Sequence, residues 1–152
     1  MTSTGRLRGL TAVVPAYNEA GNIGRAVDAL CAVLPVVAGH HEVIVVDDGS
    51  TDGTGAAVAG RLGVRVLRHR INRGYGAALR TGLAAAREPW CVFLDGDGQL
   101  DPLELPRLVT AVGDADIVAG YRAARADPSS GGSTASSGTH SCAFSSACGC
   151  AT

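Results

Sequence analysis

Five short apolar runs alternate with Ala- and Leu-rich segments, and this alternation limits the folds that the chain can adopt. The runs cover residues 10–14, 42–47, 64–67, 90–95 and 116–119. They show no apolar-polar alternation, which is typical of strands covered on both faces, as in a parallel sheet. Helical composition is found between them, at residues 20–34, 53–62, 74–87 and 102–112. We therefore predict an α/β fold with a doubly wound, mostly parallel sheet.

The composition changes abruptly near Pro128. Residues 129–152 consist of Ser, Gly, Thr, Ala and Cys with one His and one Phe, and they include no Asp, Glu, Lys or Arg. Such a segment buries too little apolar surface to offset the entropy lost on ordering. We predict three regions: an N-terminal extension at residues 1–9, a folded domain at residues 10–127 and a disordered tail at residues 128–152. A frame shift or a truncated gene would explain the change.

The basic residues exclude several classes of function. All thirteen are Arg and none is Lys, which excludes a Walker P-loop and a response-regulator receiver, since both depend on a Lys. The arginines are interspersed with acids, and the net charge of the chain is −1. The sequence has no basic stripe that would neutralise phosphates along a nucleic acid, so we expect no nucleic-acid partner.

The start of the chain and its cysteines bear on its location. The first six residues lack the apolar core of a signal peptide, and no apolar run reaches the roughly 18 residues of a transmembrane helix. The chain has five cysteines, an odd number, and Cys31 and Cys91 lie in apolar surroundings, which suits a reducing compartment. We expect a cytoplasmic protein whose contact with the inner face of the membrane, if it has any, is peripheral.

Two carboxylates follow the fourth apolar run. Asp95, Asp97 and Gln99 form Asp-Gly-Asp-Gly-Gln, at the edge where open α/β sheets place their ligands. The carboxylates repel each other unless a hard cation lies between them, and Mg²⁺ prefers one or two carboxylates together with phosphate oxygens. We therefore expect Asp95, Asp97 and Gln99 to bind a metal diphosphate. A polar turn is the simpler alternative, and a haloacid-dehalogenase-type phosphatase also begins with Asp-x-Asp after an apolar strand.

The loop after the first run offers an aromatic ring and an acid. Pro15 ends the strand and leaves Tyr17 and Glu19 above the sheet, where they suit a nucleobase and a ribose. A structural alternative is that Asn18 caps the next helix and that Glu19 favours the positive end of that helix.

Two further loops carry charged residues to the same edge. Asp47 and Asp48 follow the second run and offer hydrogen-bond acceptors to a base or ribose. The third run is followed by an Arg-rich loop that includes Arg73 and Gly74 and leads into a helix. Guanidinium groups and helix-end amides both bind phosphate, so we expect Arg73 and Gly74 to contact it. A solvated Arg-rich surface is the alternative.

In their order and spacing these four segments resemble the family 2 glycosyltransferases with the GT-A fold, especially the polyprenyl-phosphate (dolichyl-phosphate) mannose or glucose synthases. The resemblance covers residues 10–122. It implies nucleotide contacts from Pro15, Tyr17, Glu19 and Asp47. It also implies that Asp95, Asp97 and Gln99 face the metal and diphosphate, and that Arg122 approaches the phosphates or the acceptor.

The same resemblance implies a reaction. Metal-dependent transfer with Mg²⁺ or Mn²⁺ would move a sugar, with inversion, from a UDP- or GDP-linked donor to an acceptor. A polyprenyl phosphate is the expected acceptor, because it is already anionic and needs no general base. The alternative is a truncated, inactive domain that only binds nucleotide and metal, and a phosphatase is a lesser one. A dinucleotide-binding oxidoreductase is not supported, since only Gly21 and Gly24 follow the first run.

Overall fold

The structure is a computed structural model that describes residues 5–96, 101–113, 115–120 and 143–145. Its strands are β1 Leu7–Ala16, β2 Ala38–Asp47, β3 Val64–Arg68, β4 Trp90–Phe93, β5 Ile117–Ala119 and β6 Ala143–Ser145. Its α-helices are α1 Ile23–Val37, α2 Thr54–Val58, α3 Tyr75–Ala85 and α4 Leu105–Thr110. A turn of 3₁₀ helix, Pro102–Glu104, leads into α4.

Four of the strands are parallel and lie in the order β3-β2-β1-β4. Ala16 at the end of β1 pairs with Asp47 at the end of β2, and Asp47 pairs with Arg68 at the end of β3. On the other side of β1, Val13 pairs with Phe93 of β4. The carboxyl ends of the four strands therefore meet at one edge of the sheet. The prediction of a doubly wound, mostly parallel sheet is confirmed.

Helices cover both faces of the sheet. Alternate residues of β1 point to opposite sides, as strand geometry requires. Ala12 and Val14 belong to the larger apolar cluster, which contains residues of α1, α2 and α4, whereas Val13 belongs to the smaller cluster with Ala78 of α3. Because both faces are covered, the strands have apolar residues at successive positions, which explains the runs in the sequence.

The first helix extends further than predicted. It runs through Pro35 to Val37 and passes directly into β2, whereas the sequence predicted an end at residue 34. The guanidinium of Arg6 donates to the carbonyl oxygen of Pro35 and, at 2.7 Å, to that of Ala38. These hydrogen bonds give carbonyl oxygens at the end of the helix a partner. Because Arg6 is far away in the sequence, the local pattern does not predict them.

Two other segments differ from the predictions. Helix α2 ends at Val58 and not near residue 62, because Ala59 is extended and Gly60 adopts a φ of +79°. Strand β6 falls within the tail predicted to be disordered, and it pairs antiparallel with β4 and β5. Strand pairing of this kind needs only backbone N–H and C=O groups, which every residue other than Pro has. The Ser- and Ala-rich composition of this segment therefore does not prevent it. The rest of the tail lies outside the described residues.

Candidate functional site

The first loop (residues 17–22, after β1) is held by the second loop (residues 48–53, after β2) and the first residue of α2. Three consecutive backbone amides donate to side-chain oxygens: Asn18 to Ser50 Oγ at 3.0 Å, Glu19 to Thr54 Oγ1 at 2.8 Å and Ala20 to Asp52 Oδ2 at 3.0 Å. In return, Thr51 donates its amide to Asn18 Oδ1 at 3.0 Å. The side chains of Ser50 and Asp52 in the second loop and of Thr54 in α2 thus fix the backbone of the first loop.

The Asn18 side chain therefore does not cap α1. That helix begins at Ile23 with Asn22 as its N-cap residue, so the sequence-based interpretation of Asn18 as the cap is wrong. Asn18 adopts a φ of +55°, a left-handed conformation that Asn tolerates better than most residues. This conformation accompanies its bond to Thr51 in the neighbouring loop.

The nucleotide candidates of the first loop differ in exposure. Pro15 is buried within β1, whereas Tyr17 keeps 47% of its surface exposed. Glu19 is half-buried, and its carboxylate accepts a hydrogen bond from the Asn22 side chain at 3.0 Å. Tyr17 is therefore the side chain of this loop that presents an open aromatic face to a ligand.

Asp47 and Asp48 lie on opposite faces of the sheet because successive residues of a strand alternate. Asp47 is buried on the side of α2, where Oδ2 lies so close to Gly55 that a Cβ there would be only 2.7 Å away. Its Oδ1 accepts from the Ser50 amide at 2.8 Å, and its Oδ2 lies 3.4 Å from Arg68 Nε. Arg68 also donates to the Ser50 carbonyl at 3.0 Å, so it ties Asp47 to the second loop.

Asp48 is buried on the side of α3 and holds the third loop (residues 69–74, after β3). Its Oδ1 accepts from His69 Nδ1 at 2.6 Å and from the Arg73 amide at 3.0 Å, and its Oδ2 accepts from the Gly74 amide at 2.8 Å. Burial favours the neutral acid, but the hydrogen bonds from His69 and the two amides outweigh it. The pKa of Asp48 is therefore below its usual value of 3.8.

These contacts change the roles assigned from the sequence. The amides of Arg73 and Gly74, which the sequence offered to phosphate, donate to Asp48. Both Asp48 oxygens have protein donors, so Asp48 fixes a loop rather than presenting an open acceptor to a nucleotide. Arg73 itself is exposed, and its guanidinium remains the candidate phosphate group of this loop.

The end of β4 packs against the end of β1. The Leu94 amide donates to the Val13 carbonyl at 3.1 Å and extends the pairing beyond the strand. Gly96 is buried, and a Cβ there would lie 3.2 Å from the Pro15 oxygen and 3.3 Å from Ala16 Cβ. Asp95, half-buried between Leu94 and Gly96, is thus held at the same edge as Asp47, roughly two strand spacings or ~10 Å away.

The remaining predicted site residues, Asp97, Gln99 and Arg122, lie outside the described residues. Within the described part of the chain, no three His, Cys, Asp or Glu side chains cluster in a way that could hold a metal ion. Asp95 is therefore the metal candidate whose position the structure gives. Among the same residues, no helix has the length and apolar character needed to span a membrane.

Sequence reasoning missed His69 and did not single out Arg68. Both follow from the end of β3: Arg68 faces Asp47 and His69 faces Asp48. The sequence contained one usable signal. Parallel register places Arg68, the last residue of β3, and His69 beside Asp47 and Asp48 at the end of β2. Their side-chain partners became evident only from the arrangement of the loops.

The chain is similar to curated proteins over most of its length. A dodecaprenyl-phosphate galacturonate synthase of Rhizobium johnstonii is 34% identical over 125 residues, which cover 78% of this chain and 37% of that protein. An undecaprenyl-phosphate 4-deoxy-4-formamido-L-arabinose transferase of Aeromonas hydrophila is 36% identical over 127 residues, covering 78% of this chain and 38% of that protein. The chain thus spans less than two fifths of the length of either relative.

Solved structures show the same fold. A mannosyltransferase from Pyrobaculum calidifontis, in complex with GDP-Man and Mn²⁺, is 30% identical, with a TM-score of 0.62 over 75% of this chain and 34% of its own. Glucosyl-3-phosphoglycerate synthase from Mycobacterium tuberculosis, in complex with Mn²⁺, UDP and glucosyl-3-phosphoglycerate, is 33% identical, with a TM-score of 0.56 over 67% of this chain and 38% of its own. The fold is accordingly of the GT-A type.

The family assignment follows from the sequence match and agrees with the fold. Residues 11–140 match Glycosyl transferase family 2, which is most of the chain. The matched region contains all four sequence segments on which the predicted family resemblance is based. The chain belongs to glycosyl transferase family 2.

Proposed function

We propose that this chain is the donor-binding part of a metal-dependent, inverting glycosyltransferase that moves a sugar from a UDP- or GDP-linked donor to a polyprenyl phosphate. The observation that carries the proposal is the packing of Gly96 against Pro15 and Ala16. This packing holds Asp95 at the edge where Asp47 and the exposed ring of Tyr17 also lie. One nucleoside diphosphate can therefore reach Asp95 and Tyr17 directly, whereas Asp47 is buried against Ser50 and Arg68 and is reached only when Arg68 moves aside.

Each end of the donor has a candidate partner. Tyr17 offers a ring face on which a base can stack, and Asp47 offers carboxylate oxygens to a base or ribose if Arg68 moves aside. By the family resemblance, Glu19 and Pro15 also contact the nucleotide. Arg73 is exposed at the start of α3, and its guanidinium suits a phosphate oxygen. A nucleotide is present in both solved relatives, GDP-Man in one and UDP in the other, which supports a nucleoside-diphosphate sugar as the donor.

Asp95 fits a hard divalent cation, because a carboxylate oxygen is the ligand type that Mg²⁺ and Mn²⁺ prefer. Asp97 and Gln99 would complete the set of protein ligands. When bound, such a cation supplies Lewis-acid neutralisation of the leaving diphosphate. Mn²⁺ is present in both solved relatives, which supports the proposal without choosing between the two metals.

The residues of the chain position the donor for attack from the acceptor. A phosphate oxygen of the acceptor forms the new bond to the anomeric carbon, and the bond to the diphosphate breaks with its electron pair leaving on the nucleotide. Inversion follows from this single displacement. A phosphate acceptor is already ionised, so no side chain has to remove a proton. Arg73, and Arg122 by resemblance, stabilise the negative charge that develops on the diphosphate.

Calorimetry of the 152-residue chain tests the donor half of this proposal. We expect UDP-glucose or GDP-mannose to bind in Mn²⁺ and to bind at least about tenfold more weakly in EDTA, a difference of ~1.4 kcal/mol. Asp95→Asn should remove the metal-dependent part of the affinity. The matched control is Asp28→Asn, which makes the same change on α1 at an exposed carboxylate. A folded chain without manganese-dependent affinity for either nucleotide sugar would contradict the proposal.

A second candidate function is a domain that binds nucleotide and metal without transferring sugar. The coverage of 37% and 38% of the two relatives favours it, since acceptor contacts can lie in the parts of those proteins that this chain does not match. Transfer of radiolabelled sugar to undecaprenyl phosphate separates the two candidates. Product above the level of the Asp95→Asn variant would support transferase activity of this chain, and its absence together with donor binding would support the binding domain. Family membership argues against the phosphatase alternative.

A further inference from the structure

The buried side chain of His69 has no role in the proposed reaction, yet both of its ring nitrogens are bonded. Only 8% of His69 is exposed. Its Nδ1 lies 2.6 Å from Asp48 Oδ1, and its Nε2 lies 2.9 Å from Thr81 Oγ1 on α3. His69 therefore connects the end of β2, the end of β3 and α3.

The hydrogen bond between His69 and Asp48 has its direction set by the partners. An ionised carboxylate can only accept, so the ring donates from Nδ1 to Asp48 Oδ1. The bond between Nε2 and Thr81 Oγ1 can run in either direction, according to the tautomer of the ring, since the Thr81 hydroxyl also has the Ala77 carbonyl oxygen as a partner at 2.9 Å.

The contact with Asp48 extends to the candidate phosphate loop. The same carboxylate that accepts from His69 also accepts from the amides of Arg73 and Gly74. Below this loop, a Cβ on Gly49 would lie 2.5 Å from the carbonyl carbon of Ile71. The backbone that carries Arg73 is thus held between Gly49 and Asp48, and the orientation of Asp48 depends on His69.

We propose that His69 is a positioning residue for donor binding: it orients Asp48, which fixes the loop that presents Arg73 to the diphosphate. The proposal rests on the proposed function, since it assumes that Arg73 meets the donor. Among the described residues, Asp48 is the charged group bonded to the ring. Arg68 and Arg70 precede and follow it with exposed side chains, and α3 contributes neutral Thr81, with Arg80 exposed.

Two conservative substitutions of His69 each retain one of the two hydrogen bonds made by the imidazole ring. His69→Asn places an amide donor near the position of Nδ1 and keeps the bond to Asp48, whereas His69→Gln reaches the position of Nε2 and keeps the bond to Thr81. Thr81→Val is the matched control, because it removes the Nε2 partner and leaves Asp48 unchanged. The readouts are the dissociation constants of UDP and GDP with Mn²⁺, the unfolding midpoint in urea, and amide exchange of Arg73 and Gly74 without ligand.

We expect His69→Gln to weaken nucleotide binding by about tenfold or more, the size of losing a charged hydrogen bond. His69→Asn and Thr81→Val should stay within about threefold of the unsubstituted chain, because the bond to Asp48 remains. The Arg73 and Gly74 amides should exchange faster only in His69→Gln.

Two results would overturn the proposal. One is equal loss of affinity in the Asn and Gln variants, in proportion to their loss of stability, which would indicate a structural role alone. The other is unchanged exchange of the Arg73 and Gly74 amides in His69→Gln. If the unsubstituted chain binds neither nucleotide, the proposed function fails. Amide exchange then still tests whether His69 positions the loop that carries Arg73. Unchanged exchange of Arg73 and Gly74 in His69→Gln would then reject it.

Discussion

Gly82 of α3 lies directly against Val13 of β1, so closely that a Cβ atom on Gly82 would overlap Val13 Cγ1 and lie 3.2 Å from Val46 Cγ2. Helix and sheet therefore approach each other without a side chain between them. This close contact places α3, which follows the Arg73 loop and carries Thr81, over β1 and β2.

Gly82→Ala should destabilise the fold by about 1–3 kcal/mol, because one extra methyl group must push α3 away from the sheet. Urea unfolding followed by circular dichroism measures this change. Gly76→Ala, on the same helix, is the matched control, since a Cβ there meets nothing within 4 Å. Ala favours helix over Gly, so the control should be neutral or stabilising by up to ~1 kcal/mol. Equal stability of the two variants would contradict the prediction.

The parallel sheet was predictable from sequence because its cause is local. Strands buried on both faces need consecutive apolar residues, and the runs at residues 42–47 and 90–95 show them directly. The end of α1 was not predictable in this way. Pro35 normally terminates a helix, yet the helix continues for two more residues to Val37, and the carbonyl of Pro35 near its end accepts from Arg6, 29 residues away.

The candidate site was predictable in part for the same reason. Strand alternation predicts that Asp47 and Asp48 point to opposite faces, but the sequence does not show which loop each face meets. The structure places Asp48 under the third loop, where it accepts from the Gly74 amide. This bond gives Gly74 a structural partner where the sequence suggested phosphate. Side-chain partners so distant in sequence depend on the packed arrangement of the strands.

Gly49→Ala should disturb the candidate site more than an equivalent change elsewhere. Gly49 has a φ of +77°, and a Cβ there would lie 2.5 Å from the Ile71 carbonyl carbon and 2.6 Å from the Asn72 nitrogen. Backbone atoms cannot rotate away, so the third loop must shift. Gly60→Ala shares the strained backbone, with a φ of +79°, but has open space around its Cβ.

The comparison of Gly49→Ala with Gly60→Ala separates backbone strain from the clash. Both variants should lose about 1 kcal/mol of stability from strain. Gly49→Ala should in addition lose about tenfold or more in affinity for UDP or GDP with Mn²⁺, since the Arg73 loop moves. Equal nucleotide affinity in the two variants would show that the third loop can shift without affecting the donor.

Thr54 offers a test of how the first loop is held. Its hydroxyl oxygen accepts from the Glu19 amide at 2.8 Å and lies 2.5 Å from Asp52 Oδ1. Thr54→Val keeps the size of the side chain but leaves the part-buried Glu19 amide without that acceptor, which costs roughly 1–3 kcal/mol. Thr54→Ser retains the hydroxyl and should lose less than half as much. Urea unfolding of the two variants measures the difference, and equal losses would assign the effect to the methyl group.

Asp48 predicts how stability depends on pH. Its pKa is lowered in the folded chain, since the bonds from His69 and from the amides of Arg73 and Gly74 outweigh the opposing effect of burial. A lowered folded pKa stabilises the fold above the unfolded value, and this stabilisation is lost as the pH falls through the folded value. The free energy of unfolding should therefore decrease as the pH falls below about 4, the usual range of an Asp.

Asp48→Asn removes this titration, so the variant should be less stable than the unsubstituted chain at neutral pH, and its stability should fall less steeply in acid. Urea unfolding at a series of pH values measures both slopes, and parallel curves for the two chains would contradict the role of Asp48.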